Sequence, residues 1–263
     1  MLQPESIINR KGANMKLGAM ITARYDSERY PGKVIAKIAG IPILAHLIEQ
    51  LQELDQLDDI IVCTSYLKSD DPLEEIASDY GVSLTRGHPD ILIERHMQCI
   101  NENELDFILD ICGDAPFMDN RMTQRMINYC KTDPNHIVYA STAMFDPAGF
   151  VMHTGIKAKQ WYLDYEKYYY AAPGKYRQLH ASQYWTIPLA VEDVPFLHEP
   201  KMVDILDLVD RQQSLWKNTV DYPLELAILE LIYNHLGRRP KTVEDFQKCY
   251  REITSIKEVA MPF

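Results

Sequence analysis

The sequence predicts an α/β fold built on a mostly parallel, doubly wound sheet, with an aromatic-rich insertion or dimer arm in its second half. Three observations carry this. Short apolar runs rich in β-branched residues alternate with longer stretches whose apolar residues recur at helical spacing, and the connections between them are short. Hydrophobic residues make up 46% and charged residues 25% of the chain, the balance of a globular protein able to bury a core. At 263 residues there is room for one large domain, or a domain with a small appendage, but not for three.

Lys16–Thr22 is an apolar run closed by a charged loop, the pattern of a buried strand. Ile43–Leu54 places Ile43, Leu44, Leu47, Ile48, Leu51 and Leu54 on one helical stripe, with Pro42 just ahead of it. Asp59–Thr64 is a second strand. Asp70–Tyr80 opens on acidic residues and Pro72 and stops before Gly81, which predicts a capped helix. Val82–Thr85, a helix over Ile91–Asn101 and a strand over Leu105–Cys112 continue the rhythm. The second half is less regular. Phe145–Pro188 concentrates Trp161, Tyr162, Tyr165, Tyr168, Tyr169, Tyr170, Tyr176, Tyr184 and Trp185, and clustered aromatics of this kind anchor packed insertions and subunit interfaces. Two helices, Leu224–Leu236 and Val243–Ile253, close the chain.

Twenty-seven Lys and Arg against 38 Asp and Glu leave a formal charge of −11, whose long-range field repels nucleic acids and anionic membranes. A small polyanion would need a local cluster of cations. No apolar run approaches the ~18 residues of a membrane span, and Met1–Asn14 has no apolar core of a secretory signal. The five cysteines show no C-x-x-C spacing, so they are read as reduced core-fillers in a cytoplasmic protein.

In doubly wound sheets ligands sit beyond the carboxyl ends of the strands, which directs attention to the loops after Thr22, Thr85 and Cys112. The first of these carries the densest chemistry. Ala23–Lys33 (ARYDSERYPGK) packs Arg24, Ser27, Arg29 and Lys33 around a Pro-Gly turn, directly after a buried strand. Backbone N–H groups exposed by the turn, together with fork-shaped and point-charge donors, suit a phosphate chain. Neither a Walker A loop nor G-x-G-x-x-G is present.

This stretch resembles the A-R-x-x-S-x-R-x-P-G-K signature of the sugar-acid cytidylyltransferases, which include CMP-Kdo and CMP-sialic acid synthetases. The following VIAKIAGIPILAHL resembles that family's continuation. Arg86–Arg95 (RGHPDILIER), Ile111–Pro116 (ICGDAP) and Lys217–Pro223 (KNTVDYP) resemble the spore-coat polysaccharide SpsF branch more than the others. Together the matches span Lys16–Gly237. Met15 stands where such proteins begin, so residues 1–14 are read as an N-terminal extension or a mis-called start and 15–263 as the nucleotidyltransferase domain, with 145–188 as a dimerisation and acceptor-binding insertion.

The resemblance implies a Rossmann-like nucleotidyltransferase that uses CTP, Mg²⁺ and an acidic small-molecule acceptor, acting as a homodimer in surface polysaccharide biosynthesis. It implies nucleotide binding by Ala23, Arg24, Ser27, Arg29, Lys33 and Arg86, the last near the base. Catalytic roles fall to Lys33, Arg24 and Asp114, and metal ligation to Asp114 and Asp221. His180 and Tyr184, in a stretch resembling H-V-T-P-Y, are acceptor-binding candidates, and Lys157, Lys159, Lys175 and Arg177 are cations that an anionic acceptor would require. The usual D-T-P-E-D ending is altered here to D-Y-P-L-E, which puts the start of the following helix in question. Three alternatives stay open: another base, a non-sugar acceptor such as a phosphonate or polyol phosphate, and a non-catalytic nucleotide-binding relative.

Overall fold

A strand that is apolar on both faces must be covered on both, and this places the first strand at the centre of the sheet. In β1 (Leu17–Thr22), Leu17, Ala19 and Ile21 face one side and Met20 the other, all of them buried. The computed structural model describes residues 15–132, 136–139, 145–146, 149–150, 154–171, 201–204 and 218–255.

Parallel to β1 run β4 (Asp59–Ser65) on one side and β6 (Phe107–Cys112) on the other, with β5 (Ser83–Gly87) beyond β4. Past β6, the strand β10 (Thr154–Ala158) is antiparallel both to β6 and to β7 (His136–Tyr139), and β11 (Lys201–Asp204) closes the edge. The order is β11-β7-β10-β6-β1-β4-β5. The chain thus builds outward from β1 through β4 and β5, then returns to β6 on the opposite flank. That reversal between β1 and β6 opens a crevice at their carboxyl ends, where open α/β sheets bind ligands. Two small hairpins, β2 (Lys37–Ile38) with β3 (Ile41–Pro42) and β8 (Phe145–Asp146) with β9 (Gly149–Phe150), lie outside the main sheet.

Helices cover both faces. Leu44, Leu47, Ile48 and Leu51 of α1 (Ile43–Gln52), Leu73 and Ala77 of α2 (Asp71–Asp79), and Met122 and Met126 of α4 (Asn120–Thr132) meet Leu17, Ala19 and Ile21. On the other face Ile93, Met97 and Ile100 of α3 (Leu92–Glu102) meet Met20, Ile61 and Ile108. Trp161, Tyr162 and Tyr165 of α5 (Lys159–Ala171) join the same layer. These aromatics therefore fill the core beneath the sheet, so this part of the 145–188 segment is a packed layer and not a projecting arm. Tyr176, Tyr184 and Trp185 lie outside the described residues. Behind the β2–β3 hairpin, Leu229 and Ile232 of α6 (Pro223–Leu236) and Phe246 and Cys249 of α7 (Val243–Ser255) enclose Ile38, Ile43, Phe117 and Val220.

All five cysteines are free thiols, and four are buried. Burial pushes the Cys130 thiol up to about 12.

Where element ends differ from the sequence reading, long-range pairing decides. β5 runs on to Gly87, past the expected end at Thr85, because Thr64 pairs Arg86 and Ser65 pairs Gly87 across β4. The sixth strand starts at Phe107 because the Leu105 N–H is taken by the Ile100 carbonyl at the end of α3.

Candidate active site

The two loops that leave β1 and β6 touch because nothing stands between them. A Cβ on Gly113 would lie 2.6 Å from Ala23 Cβ and 3.0 Å from the Thr22 carbonyl, while the Gly113 N–H donates to that carbonyl at 2.9 Å. Ala23 is buried and its N–H donates to the Cys63 carbonyl. Its contribution is therefore this close approach, with neither side chain nor N–H left to offer a ligand.

The remainder of the loop turns about Tyr25. Its carbonyl accepts the Ser27 N–H at 3.0 Å and the Gly32 N–H at 2.8 Å. Gly32 has φ +74°, and the Tyr25 ring would lie 3.2 Å from any Cβ placed there, so glycine is required twice over. Ser27 Oγ accepts the Tyr30 N–H at 3.4 Å. The chain then enters a 3-10 turn at Lys33–Ile35, which draws the Lys33 side chain inward to 8% exposure.

Lys33 Nζ donates to Asp114 Oδ2 at 2.5 Å and to Asp221 Oδ1 at 3.1 Å. Arg29 pairs with the same Asp221 oxygen at 2.7 Å. The two aspartates are 107 positions apart in sequence, and backbone and amide bonds bring them together. The Val220 N–H donates to the Asp114 carbonyl at 2.9 Å. The Asn218 side chain accepts the Phe117 N–H at 3.3 Å and returns a bond to the Phe117 carbonyl. Glu225 then accepts the N–H of Asp221 at 2.5 Å and of Tyr222 at 3.0 Å, with Pro223 opening α6. The altered ending D-Y-P-L-E accordingly leaves the helix start intact.

Burial alone would lower the Lys33 pKa, but the facing carboxylates of Asp114 and Asp221 outweigh it and hold the ammonium above its ordinary value. Two carboxylates and two cations thus make a compact, charge-balanced cluster at the mouth of the crevice. Removing such charges from water gains little stability, so its position argues for chemistry. Asp114 Oδ1 is buried and has no hydrogen-bond partner among the described residues. A carboxylate oxygen with that capacity beside a second carboxylate is a donor set that fits an oxygen-seeking divalent cation.

Other candidates lie elsewhere. Arg24 donates to the Pro89 carbonyl at 2.5 Å and approaches Asp90 at 3.9 Å, which leaves it outside the cluster. Arg86, expected near the base, stands on the far side of β4 at the start of α2. Its guanidinium donates to the Ser65 carbonyl at 3.0 Å and to that of Leu67 at 2.6 Å, and pairs with Asp71 at 2.8 Å and Glu74 at 2.6 Å, so its donors fasten β5 to α2. Lys157 pairs with Asp110 at 2.6 Å and lies over the Trp161 ring. Burial would raise the Asp110 pKa, but Lys157 and His96 bring it below the usual carboxylate range. That lysine's charge is therefore already balanced. Lys159 donates to Asn101. His180, Tyr184, Lys175 and Arg177 lie outside the described residues.

Sequence reasoning passed over Gly113, Asn218 and Glu225. The only signal for the last was its place three residues beyond Tyr222, where a capping glutamate belongs, and the tyrosine at the cap position obscured it. Asn218 and Gly113 act through contacts with distant segments and leave no local pattern.

Comparison with known proteins bears on this geometry. A family model described as Cytidylyltransferase matches residues 19–221, from β1 to the second aspartate of the cluster. The chain is 23% identical over 249 residues to 3-deoxy-manno-octulosonate cytidylyltransferase 2 of Hydrogenovibrio crunogenus, covering 84% of this chain and 99% of that one. An uncharacterized protein of Methanocaldococcus jannaschii is 29% identical over 171 residues, 65% of this chain and 67% of its own. An 8-amino-3,8-dideoxy-manno-octulosonate cytidylyltransferase of Shewanella frigidimarina is 28% identical over 132 residues, and that match spans about half of each protein, 48% of this chain and 52% of the other. Among solved structures, a cytidylyltransferase of Leptospira borgpetersenii superposes with a TM-score of 0.75 at 22% identity, covering 95% of this chain and 100% of that one. CMP:2-keto-3-deoxy-manno-octonic acid synthetase complexed with CTP does so with a TM-score of 0.63 at 15% identity, covering 84% and 99%. The likeness of these structures is one of fold; the family model reaches from the strand that carries the basic loop to Asp221, and the chain belongs to the cytidylyltransferase family.

Proposed function

We propose that this protein transfers CMP from CTP to an acidic sugar of the 3-deoxy-octulosonate kind, releasing pyrophosphate. The observation that carries the reading is the meeting of Lys33 with both Asp114 and Asp221 where the sheet reverses direction. The named relatives supply the acceptor class, since two of them are cytidylyltransferases for octulosonates. The narrower SpsF assignment rests on sequence motifs alone, as do the homodimer and the polysaccharide pathway. No helix among the described residues is long and apolar enough to cross a membrane.

In this reaction an acceptor oxygen bonds to the α-phosphorus of CTP, the bond from that phosphorus to the bridging oxygen of pyrophosphate breaks, and the acceptor proton passes to solvent. No covalent enzyme group is needed, so the burden falls on positioning and on neutralising charge. Asp114 and Asp221 would hold Mg²⁺, which supplies Lewis-acid polarisation of phosphate oxygens when bound. Lys33 and Arg29 stand beside that pair, as preorganised donors for the charge that grows on the leaving pyrophosphate. Arg24, at the start of the same loop, is the third cation of the set, held on the Pro89 carbonyl.

Calorimetric titration in the presence of Mg²⁺ is the direct check of base choice. CTP should bind at least ~10-fold tighter than UTP, about 1.4 kcal/mol, with ATP and GTP weaker still. Equal affinity for all four would overturn the CTP assignment while leaving the fold untouched. Pyrophosphate release with CTP and a panel of 2-keto sugar acids then identifies the acceptor.

A further inference from the structure

Asp70 has no part in the reading above. It precedes α2, where an aspartate ordinarily caps the helix, yet its side chain makes no capping bond. Instead it is turned inward to 1% exposure and spends both oxygens on other segments. Oδ1 accepts the Tyr25 N–H at 2.6 Å, across 45 positions of sequence. Oδ2 accepts the Ser65 N–H at 3.0 Å and the Ser65 hydroxyl at 2.5 Å. A buried carboxylate with three hydrogen bonds and no paired cation among the described residues is expensive to maintain, and the bond to Tyr25 shows what it secures.

Tyr25 is the hub of the basic loop. Its carbonyl holds the N–H groups of Ser27 and Gly32, and its ring closes over Gly32. Fixing the Tyr25 N–H therefore fixes Arg24 on one side and the turn leading to Arg29 and Lys33 on the other. A second tie reinforces the first, as the Ser69 hydroxyl donates to Asp26 at 2.8 Å. Opposite, the buried Arg95 donates to the His88 and Pro89 carbonyls at 3.0 and 3.1 Å, and Arg24 rests on that same Pro89 carbonyl. Burial, with the nearby Arg24 charge, holds the Arg95 guanidinium below its ordinary value. One carboxylate thus anchors the loop backbone from beneath, while Arg24 and Arg95 meet at the Pro89 carbonyl on the other side.

We propose that Asp70 is a positioning residue for nucleotide binding, holding the basic loop through the Tyr25 N–H in the geometry that presents Arg24, Arg29 and Lys33 to the triphosphate. This rests on the assignment of those cations to the triphosphate.

The test compares Asp70→Asn, Ser65→Ala and Arg24→Ala with the wild-type chain by steady-state kinetics and thermal melts. Asparagine keeps the shape but turns one acceptor oxygen into a donor; the remaining oxygen is drawn to the two Ser65 donors, which leaves the Tyr25 N–H facing an N–H. Asp70→Asn should raise KM for CTP by about tenfold, whereas Ser65→Ala, which removes one bond to the same carboxylate but spares Tyr25, should leave KM within about threefold at a comparable loss of melting temperature. Equal KM values for wild type and Asp70→Asn, with Arg24→Ala impaired, would overturn the positioning role alone. An Arg24→Ala enzyme with unchanged KM would instead overturn the assignment of the loop to the triphosphate. Should Asp70→Asn not fold, hydrogen exchange in the wild-type chain decides: the Tyr25 amide should exchange at least ~100-fold slower than a free amide, and exchange at the free rate would end the proposal.

Discussion

Replacing Asp114 or Asp221 by asparagine is expected to lower kcat by at least ~1000-fold, about 4 kcal/mol of transition-state stabilisation. The two side chains share Lys33, and Asp114 keeps one oxygen buried and unpartnered among the described residues, so either substitution removes half of the negative charge that would hold a divalent cation. The fold should survive. These segments are joined by the Val220 N–H on the Asp114 carbonyl and by Asn218 on the Phe117 backbone, and Glu225 is bonded to the Asp221 N–H; none of these bonds uses an aspartate side chain. What the variants lose in stability is the balance of Lys33 and Arg29, a cost of about 1–3 kcal/mol that a melting curve would register as a few degrees. EDTA added to the wild-type enzyme should reproduce the loss of turnover, and added Mg²⁺ should reverse it. Turnover within tenfold of wild type in either variant, measured by pyrophosphate release, would dismiss the carboxylate pair from the reaction.

The second large effect belongs to Lys33. Its replacement by alanine should reduce kcat by on the order of 100-fold, the usual cost of one preorganised electrostatic donor. The side chain is nearly enclosed, and both carboxylates hold its proton above the ordinary lysine value. It therefore stays charged throughout the neutral range, and the pH–rate profile between about 6 and 9 should keep the same shape in wild type and variant. Lys33→Arg keeps the charge, but the wider guanidinium does not fit between oxygens 2.5 and 3.1 Å away, so it should rescue only part of the loss. A Lys33→Ala kcat within threefold of wild type would remove Lys33 from the site.

Local pattern was enough to identify β1, α1, β4, α2, β5, α3 and β6, because burial on two faces imposes apolar runs and burial on one imposes a helical stripe, whereas α4 and the β2–β3 hairpin went unmarked. The basic loop was equally legible: its cations, hydroxyl and Pro-Gly turn are contiguous, and their chemistry depends little on the surroundings. Asp114 and Asp221 were marked only through family resemblance, since nothing in either neighbourhood refers to the other. Tertiary structure alone decided the rest. It set the reversal of strand order at β1, the antiparallel entry of β10 and the descent of the α5 aromatics into the core. It also closed Lys33 between the two aspartates, tied Arg86 to Asp71 and Glu74, and turned Asp70 from its helix toward Tyr25. The physical reason is common to all of these. Propensity and periodicity act over a few residues, whereas the partner of a buried charge is whichever group the packed sheet brings within hydrogen-bonding distance.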